Sequence, residues 1–314
     1  MKVLITGAAG MLGSALVPAL AQAGHQVQPT DINLEQPRPW ARIASDIPPM
    51  IRLDVRSRDY IASAVAAFRP ELIVHLAAET DVEICDARPD HAWETNALGT
   101  KHVALAAQAA DVPLAYVSTA GVFDGLKTEP YVEYDAAYPI NYYGRSKLEG
   151  ERYVQTFLTR FYVVRAGWMV GGGPKDHKFV AKMIDQLNAG ATKLYAVGDK
   201  LGTPTYAPDF ARCFTALIAT GSYGLYHMAC KGRASRFDVA RKILQVLGRS
   251  DVEVVEVDSS FFAESYPTPR PRSEMMRNLM LDLQGLNTMR DWEVALAEYL
   301  ESAFADLRVG AKIA

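Results

Sequence analysis

The first residues of the chain constrain its fold more than any other segment. Residues 2–6 form a short apolar run that predicts a buried strand, and the pattern Gly7-x-x-Gly10-x-x-Gly13 follows directly. Apolar residues at helical spacing continue through residues 11–23. Glycines between a strand and a helix allow a tight turn, close approach of the backbone to a pyrophosphate, and close packing of the helix on the strand. This context predicts a dinucleotide-binding β-α-β unit, with a ligand-free glycine-rich turn as the alternative.

Short apolar runs alternate with helical patterns through the first half of the chain. Such alternation predicts an α/β fold with a doubly wound, Rossmann-type parallel sheet. The second half is richer in prolines, aromatic residues and loops. We therefore expect a dinucleotide-binding domain over residues 1–168 and a smaller, mainly substrate-binding portion over residues 169–314, with some segments returning to the first domain. The predicted strands are residues 3–6, 26–30, 51–53, 72–76, 114–118 and 162–165, and the predicted helices are residues 11–23, 58–68, 92–110, 142–158 and one that opens at the capping box Ser235-x-x-Asp238 and ends at Gly248.

The composition excludes several classes of protein. The chain has 314 residues, 49% hydrophobic and 22% charged, which is ordinary for a globular protein with a large core. A net charge of −3 without a basic block argues against nucleic acid or a membrane as partner. The strand that follows Met1 leaves no room for a signal peptide, so we expect a cytoplasmic protein. The cysteines lack metal-ligand spacing and are expected to be reduced, buried thiols; they are Cys85, Cys213 and Cys230.

An acidic residue ends the second predicted strand, at the edge of the sheet where ligands of such folds bind. Asp31 lies eighteen residues beyond Gly13. A carboxylate there accepts hydrogen bonds from the adenosine ribose and repels a 2′-phosphate, so NAD(H) is favoured over NADP(H). Arg38 and Arg42 could still reach a 2′-phosphate, which keeps NADP(H) possible. A carboxylate that only forms a turn is the alternative.

Other strand ends bring further residues to the same edge of the sheet. Asp54 and Val55 follow the third predicted strand, where a carboxylate could contact the adenine amino group or only form a turn. The next two strands end near Ala77 and Thr119. The predicted cofactor-binding residues are Gly7, Gly10, Met11, Leu12, Gly13, Asp31, Asp54, Val55, Leu76, Ala77, Ala78, Tyr143 and Lys147.

A possible proton donor lies in the fourth predicted helix. Tyr143 and Lys147 are four residues apart, so they share one helix face and the ammonium lies beneath the phenol. A nearby cation favours the phenolate, which makes the tyrosine proton available to a carbonyl oxygen near neutral pH. Tyr-x-x-x-Lys also occurs by chance in solvated helices. The glycine loop and Thr119, just past the end of a predicted strand, favour the catalytic interpretation.

Taken together, these motifs resemble those of the extended short-chain dehydrogenases/reductases. Further segments resemble the dTDP-4-dehydrorhamnose reductases over nearly the whole chain, and the pattern Asp-x-x-Gly-x-Pro-Thr is the most specific of them. These segments are STAGVFDG at 118–125, VRAGW at 164–168, GDKLGTPT at 198–205 and RPRS at 270–273.

The resemblance implies a role for each matching residue. Tyr143 would protonate the 4-keto oxygen of a sugar, Thr119 would hydrogen-bond that oxygen, and Lys147 would hold the nicotinamide ribose and lower the tyrosine pKa. It also implies a nucleotide-diphosphate sugar as substrate and a homodimer as the assembly. For Trp168 the alternative role is core packing. For Arg270 and Arg272 the alternative is a solvated side chain on a loop. The implied substrate-binding residues are Thr80, Val82, Thr119, Trp168, Arg270 and Arg272.

Two departures from the family pattern affect what the resemblance implies. The family usually has Asp-Tyr after the catalytic threonine, where this chain has Ala120-Gly121. The missing carboxylate and ring leave the identity of the sugar open. A glutamate of the first helix, implicated in a metal-linked dimer in some members, is Ala15 here, so we expect no metal at that position.

Three hypotheses agree with this pattern to different degrees: a reductase, a related epimerase or dehydratase, and a non-catalytic subunit. A 4-keto-sugar nucleotide reductase fits best. A nucleotide-sugar epimerase would keep the same threonine, tyrosine and lysine, whereas a 4,6-dehydratase needs an acidic pair where Ala120-Gly121 stands. A non-catalytic regulatory subunit, like that of methionine adenosyltransferase, would have little need for a complete proton-donating set.

Overall fold

The computed structural model describes residues 1–34, 47–173 and 176–307. In the first half, parallel strands alternate with helices, as the sequence pattern predicts. Both ends of each of the six predicted strands agree with the observed ends to within one residue. The strands of this half are β1 (Lys2–Thr6), β2 (Gln26–Asp31), β3 (Ile51–Arg52), β4 (Leu72–His75), β5 (Leu114–Thr119) and β6 (Phe161–Ala166).

The helices of the first half cover both faces of these strands. The predicted helix over 92–110 is interrupted by a π-helical stretch at Trp93–Leu98. Within this stretch the Asn96 amide donates to the carbonyl of Glu79 and accepts from the N–H of the same residue. The helices are α1 (Met11–Gln22), α2 (Arg58–Phe68), α3 (Val82–Ala87), α4 (Pro89–Ala92), α5 (Gly99–Ala109) and α6 (Tyr142–Phe157), with a 3₁₀ turn at Ala120–Val122.

The second half contains shorter strands and several loops. The predicted capping box is present: Ser235 accepts the N–H of Asp238 at 3.0 Å, and the Asp238 carboxylate accepts the N–H of Ser235 at 2.8 Å. The elements are β7 (Trp168–Val170), α7 (Phe179–Asn188), β8 (Lys193–Val197), β9 (Leu201–Gly202), β10 (Pro204–Tyr206), α8 (Ala207–Thr220), β11 (Gly224–His227), β12 (Ala234–Ser235), α9 (Arg236–Leu247), β13 (Glu253–Val257), β14 (Ser273–Glu274), α10 (Leu279–Leu283) and α11 (Trp292–Ala303), with 3₁₀ turns at Ser259–Phe262 and Ala305–Leu307.

One seven-stranded parallel sheet carries the site, in the order β11-β6-β5-β4-β1-β2-β3. The predicted doubly wound α/β fold is thereby confirmed. The chain runs outward from β1 in one direction to β3 and in the other to β11, so the crevice at the switch point lies between β1 and β4. Strand β11 comes from the second half of the chain and pairs with β6. The split into domains at residue 168 stays a prediction.

Apolar layers on both faces of the sheet hold this arrangement together. On one face α1 packs against α8, with Leu16 and Phe210 fully buried. On the other face α2, α5 and α6 cover the strands, with Ile61 and Val103 among the buried residues. Within the described ranges, no helix is both long and apolar enough to cross a membrane.

Candidate active site

The glycine loop between β1 and α1 is built by backbone contacts that exclude larger residues. Gly7 has φ +71°, and a Cβ there would lie 2.4 Å from the backbone nitrogen of Ala77. A Cβ on Gly13 would lie 2.2 Å from the carbonyl oxygen of Ala8. Gly10 differs, because it is exposed and its nearest neighbour would be 3.4 Å away. The loop is therefore closely packed at Gly7 and Gly13 and open to solvent at Gly10, which suits a phosphate group at the N-terminus of α1.

The residues that follow the second glycine begin this helix. Met11 is half-buried and Leu12 is buried, and both belong to the first turn of α1. That turn contains no acidic side chain, so its N–H groups and the positive end of the helix dipole remain suited to an anion. This cradle fits the pyrophosphate of a nicotinamide dinucleotide.

Asp31 lies at the end of β2 and contacts the glycine loop directly. One carboxylate oxygen accepts the N–H of Ala9 at 2.9 Å and the other accepts the N–H of Asn33 at 2.9 Å. Asp31 therefore also orders the loop, a role that the sequence did not indicate. Arg38 and Arg42 lie outside the described residues.

Asp54 and Val55 follow β3 at the same edge of the sheet. The Asp54 carboxylate binds the Arg56 side chain, with distances of 2.7 to 3.1 Å, and this hydrogen-bonded pair lowers the pKa of Asp54. A contact with adenine would have to compete with this ion pair. The Val55 side chain is buried, and its carbonyl lies 3.2 Å from Nδ1 of His102.

The segment after β4 lies against the glycine loop. Leu76 donates its N–H to the carbonyl of Thr6 at 3.0 Å, and the backbone of Ala77 packs on Gly7. Ala78 follows, half-buried. These residues form the wall of the crevice between β1 and β4.

The tyrosine and lysine lie on α6 as predicted, with Thr119 at the end of β5. Asn141 caps α6 by accepting the N–H of Gly144 at 2.9 Å. Gly144 is needed because a Cβ there would lie 2.1 Å from the carbonyl oxygen of Gly121. This contact holds the first turn of α6, and therefore Tyr143, against the end of β5 that carries Thr119.

The electrostatics of this pair differ from the expectation. Burial raises the pKa of Tyr143 to about 12, although the nearby Thr119 hydroxyl opposes the shift. Burial also lowers the pKa of Lys147 to about 7, while Glu151 opposes that shift. The expected lowering of the Tyr143 pKa by Lys147 is not found in this structure.

The position of the lysine ammonium explains the difference. Lys147 Nζ donates to the carbonyl of Val117 at 2.8 Å and lies 4.2 Å from the centre of the Tyr116 ring. Both contacts hold the ammonium against β5, and burial deprives it of water. With a pKa of about 7, the lysine side chain is only partly protonated near neutral pH, so its charge has a weak effect on the phenol.

The residues implied as substrate contacts differ in how far their polar groups already have partners. Thr80 accepts the Lys178 ammonium at 3.2 Å through both its carbonyl and its hydroxyl. Val82 begins α3 and is half-buried. Arg270 binds the Glu83 carboxylate at 2.8 Å, so its charge is already paired. Arg272 is exposed, and its carbonyl accepts the N–H of Leu201.

Trp168 has close neighbours along its ring, which limits how it could contact a substrate. A Cβ on Gly202 would lie 2.3 Å from the ring, and the Arg236 guanidinium lies 3.8 Å from the ring centre. The indole N–H donates to Glu274 at 2.8 Å. The carboxylate of Glu274 is near enough to raise the pKa of Tyr143. Arg236 and Glu274 therefore hold the indole of Trp168 in place.

Sequence reasoning missed Arg236 and Glu274. Arg236 is the first residue of α9, 68 positions after the tryptophan on which it stacks, and Glu274 lies in the two-residue strand β14. Arg236 occupies an unspecified position of the capping box and Glu274 directly follows the RPRS segment, and neither pattern indicates a contact with Trp168. Only the tertiary fold brings them together.

The remaining polar candidates form no metal centre in the part of the chain that the structure describes. There, no three or more His, Cys, Asp or Glu side chains group as metal ligands. The three cysteines are buried free thiols, as expected.

Comparisons with known proteins agree with this geometry. A family model described as the RmlD substrate binding domain matches residues 1–304. A dTDP-4-dehydrorhamnose reductase of Mycolicibacterium smegmatis is 32% identical over 299 residues, which cover 95% of this chain and 84% of the relative. The chain belongs to the dTDP-4-dehydrorhamnose reductase family. This confirms the predicted family and the predicted class of enzyme, an NAD(P)-dependent oxidoreductase.

Solved structures of this family have the same fold. The dTDP-4-dehydrorhamnose reductase of Clostridium acetobutylicum superposes with a TM-score of 0.84 at 33% identity, covering 96% of this chain and 99% of that one. The enzyme of Bacillus anthracis, solved in complex with NADP, gives 0.83 at 32% identity with the same coverage. A UDP-glucose 4-epimerase of Thermus thermophilus, solved with NAD, is 23% identical with a TM-score of 0.80, which shows a shared fold only.

Proposed function

We propose that this enzyme reduces the 4-keto group of a nucleotide-linked 4-keto-6-deoxy sugar to the 4-hydroxy sugar, with a reduced nicotinamide dinucleotide as cosubstrate. The observation that carries the proposal is the juxtaposition of Tyr143 on α6 with Thr119 at the end of β5, beside the glycine-loop crevice. The names of the family relatives support the substrate class.

Tyr143 is the proton donor in this proposal. When bound, the reduced nicotinamide supplies the hydride that reaches the carbonyl carbon. The Tyr143 hydroxyl gives its proton to the carbonyl oxygen, and Thr119 donates a hydrogen bond to the same oxygen. A pKa of about 12 keeps the phenol protonated at neutral pH, so the donor form is present before the reaction.

Lys147 holds the nicotinamide ribose and supplies positive charge to the phenolate that Tyr143 becomes. Its pKa of about 7 means that its protonation state responds to small changes around it near neutral pH. A phenolate next to the ammonium favours the protonated form of the lysine. The two groups therefore stabilise each other only after the proton has left the tyrosine.

The cofactor is held by the glycine loop and by the strand ends around it. The proposed contacts on the ribose and adenine are Asp31, Asp54 and Val55, and Leu76, Ala77 and Ala78 line the crevice. The Asp31 carboxylate at the end of β2 favours NAD(H), and NADP(H) remains possible, as the NADP complex of the Bacillus anthracis relative illustrates.

The nucleotide sugar occupies the opening between α3, β7 and the loop before β14. Thr80, Val82 and the edge of Trp168 would line the sugar, and Arg270 and Arg272 would contact the diphosphate with their forked donors. The absence of a side chain at Gly121 leaves room beside Thr119 and Tyr143, since a Cβ there would meet only ordinary contacts of 3.4 and 3.6 Å. We further propose a cytoplasmic homodimer.

The test is an assay of nicotinamide oxidation with several nucleotide-linked 4-keto sugars and both reduced cofactors. We expect turnover with at least one pair. The Tyr143→Phe variant should lose about 10²- to 10⁴-fold of that turnover, the range of a general acid, and still bind the cofactor. Arg145→Gln, an exposed change on the same helix, serves as the control.

The same assay separates the alternatives. Interconversion of 4-epimers without net oxidation of the nicotinamide would indicate an epimerase. Cofactor binding without any conversion, unchanged in Tyr143→Phe, would indicate a non-catalytic regulatory subunit. Either result overturns the reductase proposal.

A further inference from the structure

A buried ion pair ties α6 to two strands of the sheet. Glu151 on α6 accepts Nε of Arg165 at 2.9 Å through one oxygen and Nη2 at 2.7 Å through the other. Arg165 lies near the end of β6. Ser118, near the end of β5, donates its hydroxyl to the same carboxylate at 2.5 Å. All three side chains are nearly inaccessible to water.

Glu151 lies on the helix face that carries the reactive groups. Tyr143, Lys147 and Glu151 are spaced by four residues along α6, so they form one row over about two turns. Ser118 directly precedes Thr119, which lies beside the phenol. The carboxylate therefore connects the helix that carries the proton donor to the strand end that carries its partner.

Stability alone does not account for this pair. Replacing a buried ion pair with apolar residues of similar size is often neutral or stabilising. Arg165 Nη1 is also buried and has no hydrogen-bond partner among the described residues, which adds a desolvation cost. The ion pair therefore attaches α6 to the sheet at a high desolvation cost, and a functional role explains it better than stability does.

The charges around Lys147 supply that reason. Four other titratable side chains lie near the lysine, and burial keeps each of them neutral near pH 7. The pKa of His75 is lowered to about 3, those of Cys85 and Tyr143 are raised to about 12, and that of Tyr116 is raised well above its usual value. Glu151 is the acidic side chain that raises the pKa of Lys147 against the effect of burial, and its carboxylate is at the same time paired with the Arg165 guanidinium.

We propose that Glu151 is a positioning residue of the active site: its carboxylate locks α6 onto β5 and β6 through Ser118 and Arg165 and serves as the counter-charge of Lys147. The role rests on the proposed function, because it acts through Tyr143 and Lys147. Glu151 itself touches neither substrate nor cofactor.

Glu151→Gln tests the role, because it removes the charge and keeps the shape. Loss of the negative charge disfavours the lysine ammonium, so the pKa of Lys147 should fall by about one unit. We expect the alkaline limb of the kcat/KM profile to move down by the same amount, with kcat at pH 7.5 reduced about tenfold. Glu149→Gln, the same change on the same helix at a residue paired with the exposed Arg152, should leave both unchanged.

A second variant separates position from charge. Ser118→Ala removes one hydrogen bond and keeps the carboxylate, so it should lower kcat without moving the pH profile. It also provides a folded test protein if Glu151→Gln is unstable. A Ser118→Ala protein with wild-type kcat would overturn the positioning role.

A measurement without turnover keeps this inference separate from the proposed function. The ¹³Cε resonance of Lys147, followed by NMR against pH in protein labelled at lysine, reports the pKa of that lysine directly. If no 4-keto sugar is reduced but the Lys147 titration still moves down in Glu151→Gln, the reductase proposal fails and the pairing of Glu151 with Lys147 stands. If the titration is the same in both proteins, the counter-charge role is wrong, whatever the activity.

Discussion

The two walls of the active-site cleft are built by different means. On the side proposed for the cofactor, main-chain segments pack directly against each other. The Cβ of an alanine at Gly7 or Gly13 would lie 2.4 or 2.2 Å from main-chain atoms. On the side proposed for the substrate, the contacts are between side chains: Arg236 stacks on Trp168, and Arg270 forms an ion pair with Glu83.

This difference determines how each wall tolerates change. Main-chain atoms cannot rotate away from an added methyl group, so the cofactor wall permits almost no variation at those glycines. Long side chains can adopt other rotamers, and other residues can replace them. Substitutions should therefore be tolerated far better on the side-chain wall than at Gly7 and Gly13.

The largest effect is expected from Gly13→Ala. Its Cβ would lie 2.2 Å from the Ala8 carbonyl oxygen, and only movement of α1 against β1 could relieve the overlap. We expect a loss of about 3 kcal/mol in the free energy of unfolding, measured in urea. Gly10→Ala is the matched control. The added Cβ would lie 3.4 Å from its nearest neighbour, the carbonyl oxygen of Gly7. The free energy of unfolding of this variant should therefore change by less than about 0.5 kcal/mol, while its affinity for the cofactor falls.

Lys147→Met should stabilise the protein while abolishing activity. Burial lowers the pKa of this lysine from 10.5 to about 7 in the folded state. Between these values the unfolded chain holds a proton that the folded protein has released, so wild-type stability rises with pH across this window. At pH 7 the variant should gain on the order of 2 kcal/mol.

The pH dependence provides the check on that variant. Its advantage should shrink steadily in urea unfolding experiments between pH 7 and 10, because methionine does not titrate. A constant difference at all pH values would show that Lys147 is not destabilised by burial of its charge.

Arg236→Met should act on the substrate wall alone. The change removes the cation–π contact with Trp168, which costs roughly 1 kcal/mol of stability. We expect a severalfold higher KM for the nucleotide sugar and an unchanged dissociation constant for the cofactor. Arg241→Met, on the same helix and over the ring of Phe237, is the matched control. A weakened cofactor affinity in Arg236→Met would mean that the two walls are not independent.

The smallest effect is expected from Asp31→Asn. Neutralising the carboxylate removes repulsion of a 2′-phosphate, whereas one amide oxygen can still accept the N–H of Ala9 or Asn33. The ratio of NADH to NADPH affinity should shift roughly threefold toward NADPH, which is less than 1 kcal/mol. Equilibrium titrations with both reduced cofactors measure it. A shift toward NADH would contradict the role assigned to Asp31.

Much of the fold was predictable because its signals are local. The apolar run of β1, the glycines after it and the period of α1 lie within one short segment, and each strand end was found in the same way. The Tyr143–Lys147 pair was predictable because four residues span one helical turn. The interruption at Trp93–Leu98 was not, because the helical period of the segment continues through it, and its contact with the Glu79 backbone through Asn96 is not local.

The sheet, the glycine loop and the row of groups along α6 follow from the amino-acid sequence, since periodicity and backbone sterics act between near neighbours. The electrostatic state of those groups depends on tertiary packing. Burial raised the pKa of Tyr143 and lowered that of Lys147, and burial depends on what the rest of the chain packs around them. The same holds for Arg236 on Trp168 and for Arg165 and Ser118 on Glu151, whose partners meet through sheet and helix packing rather than through spacing in the chain.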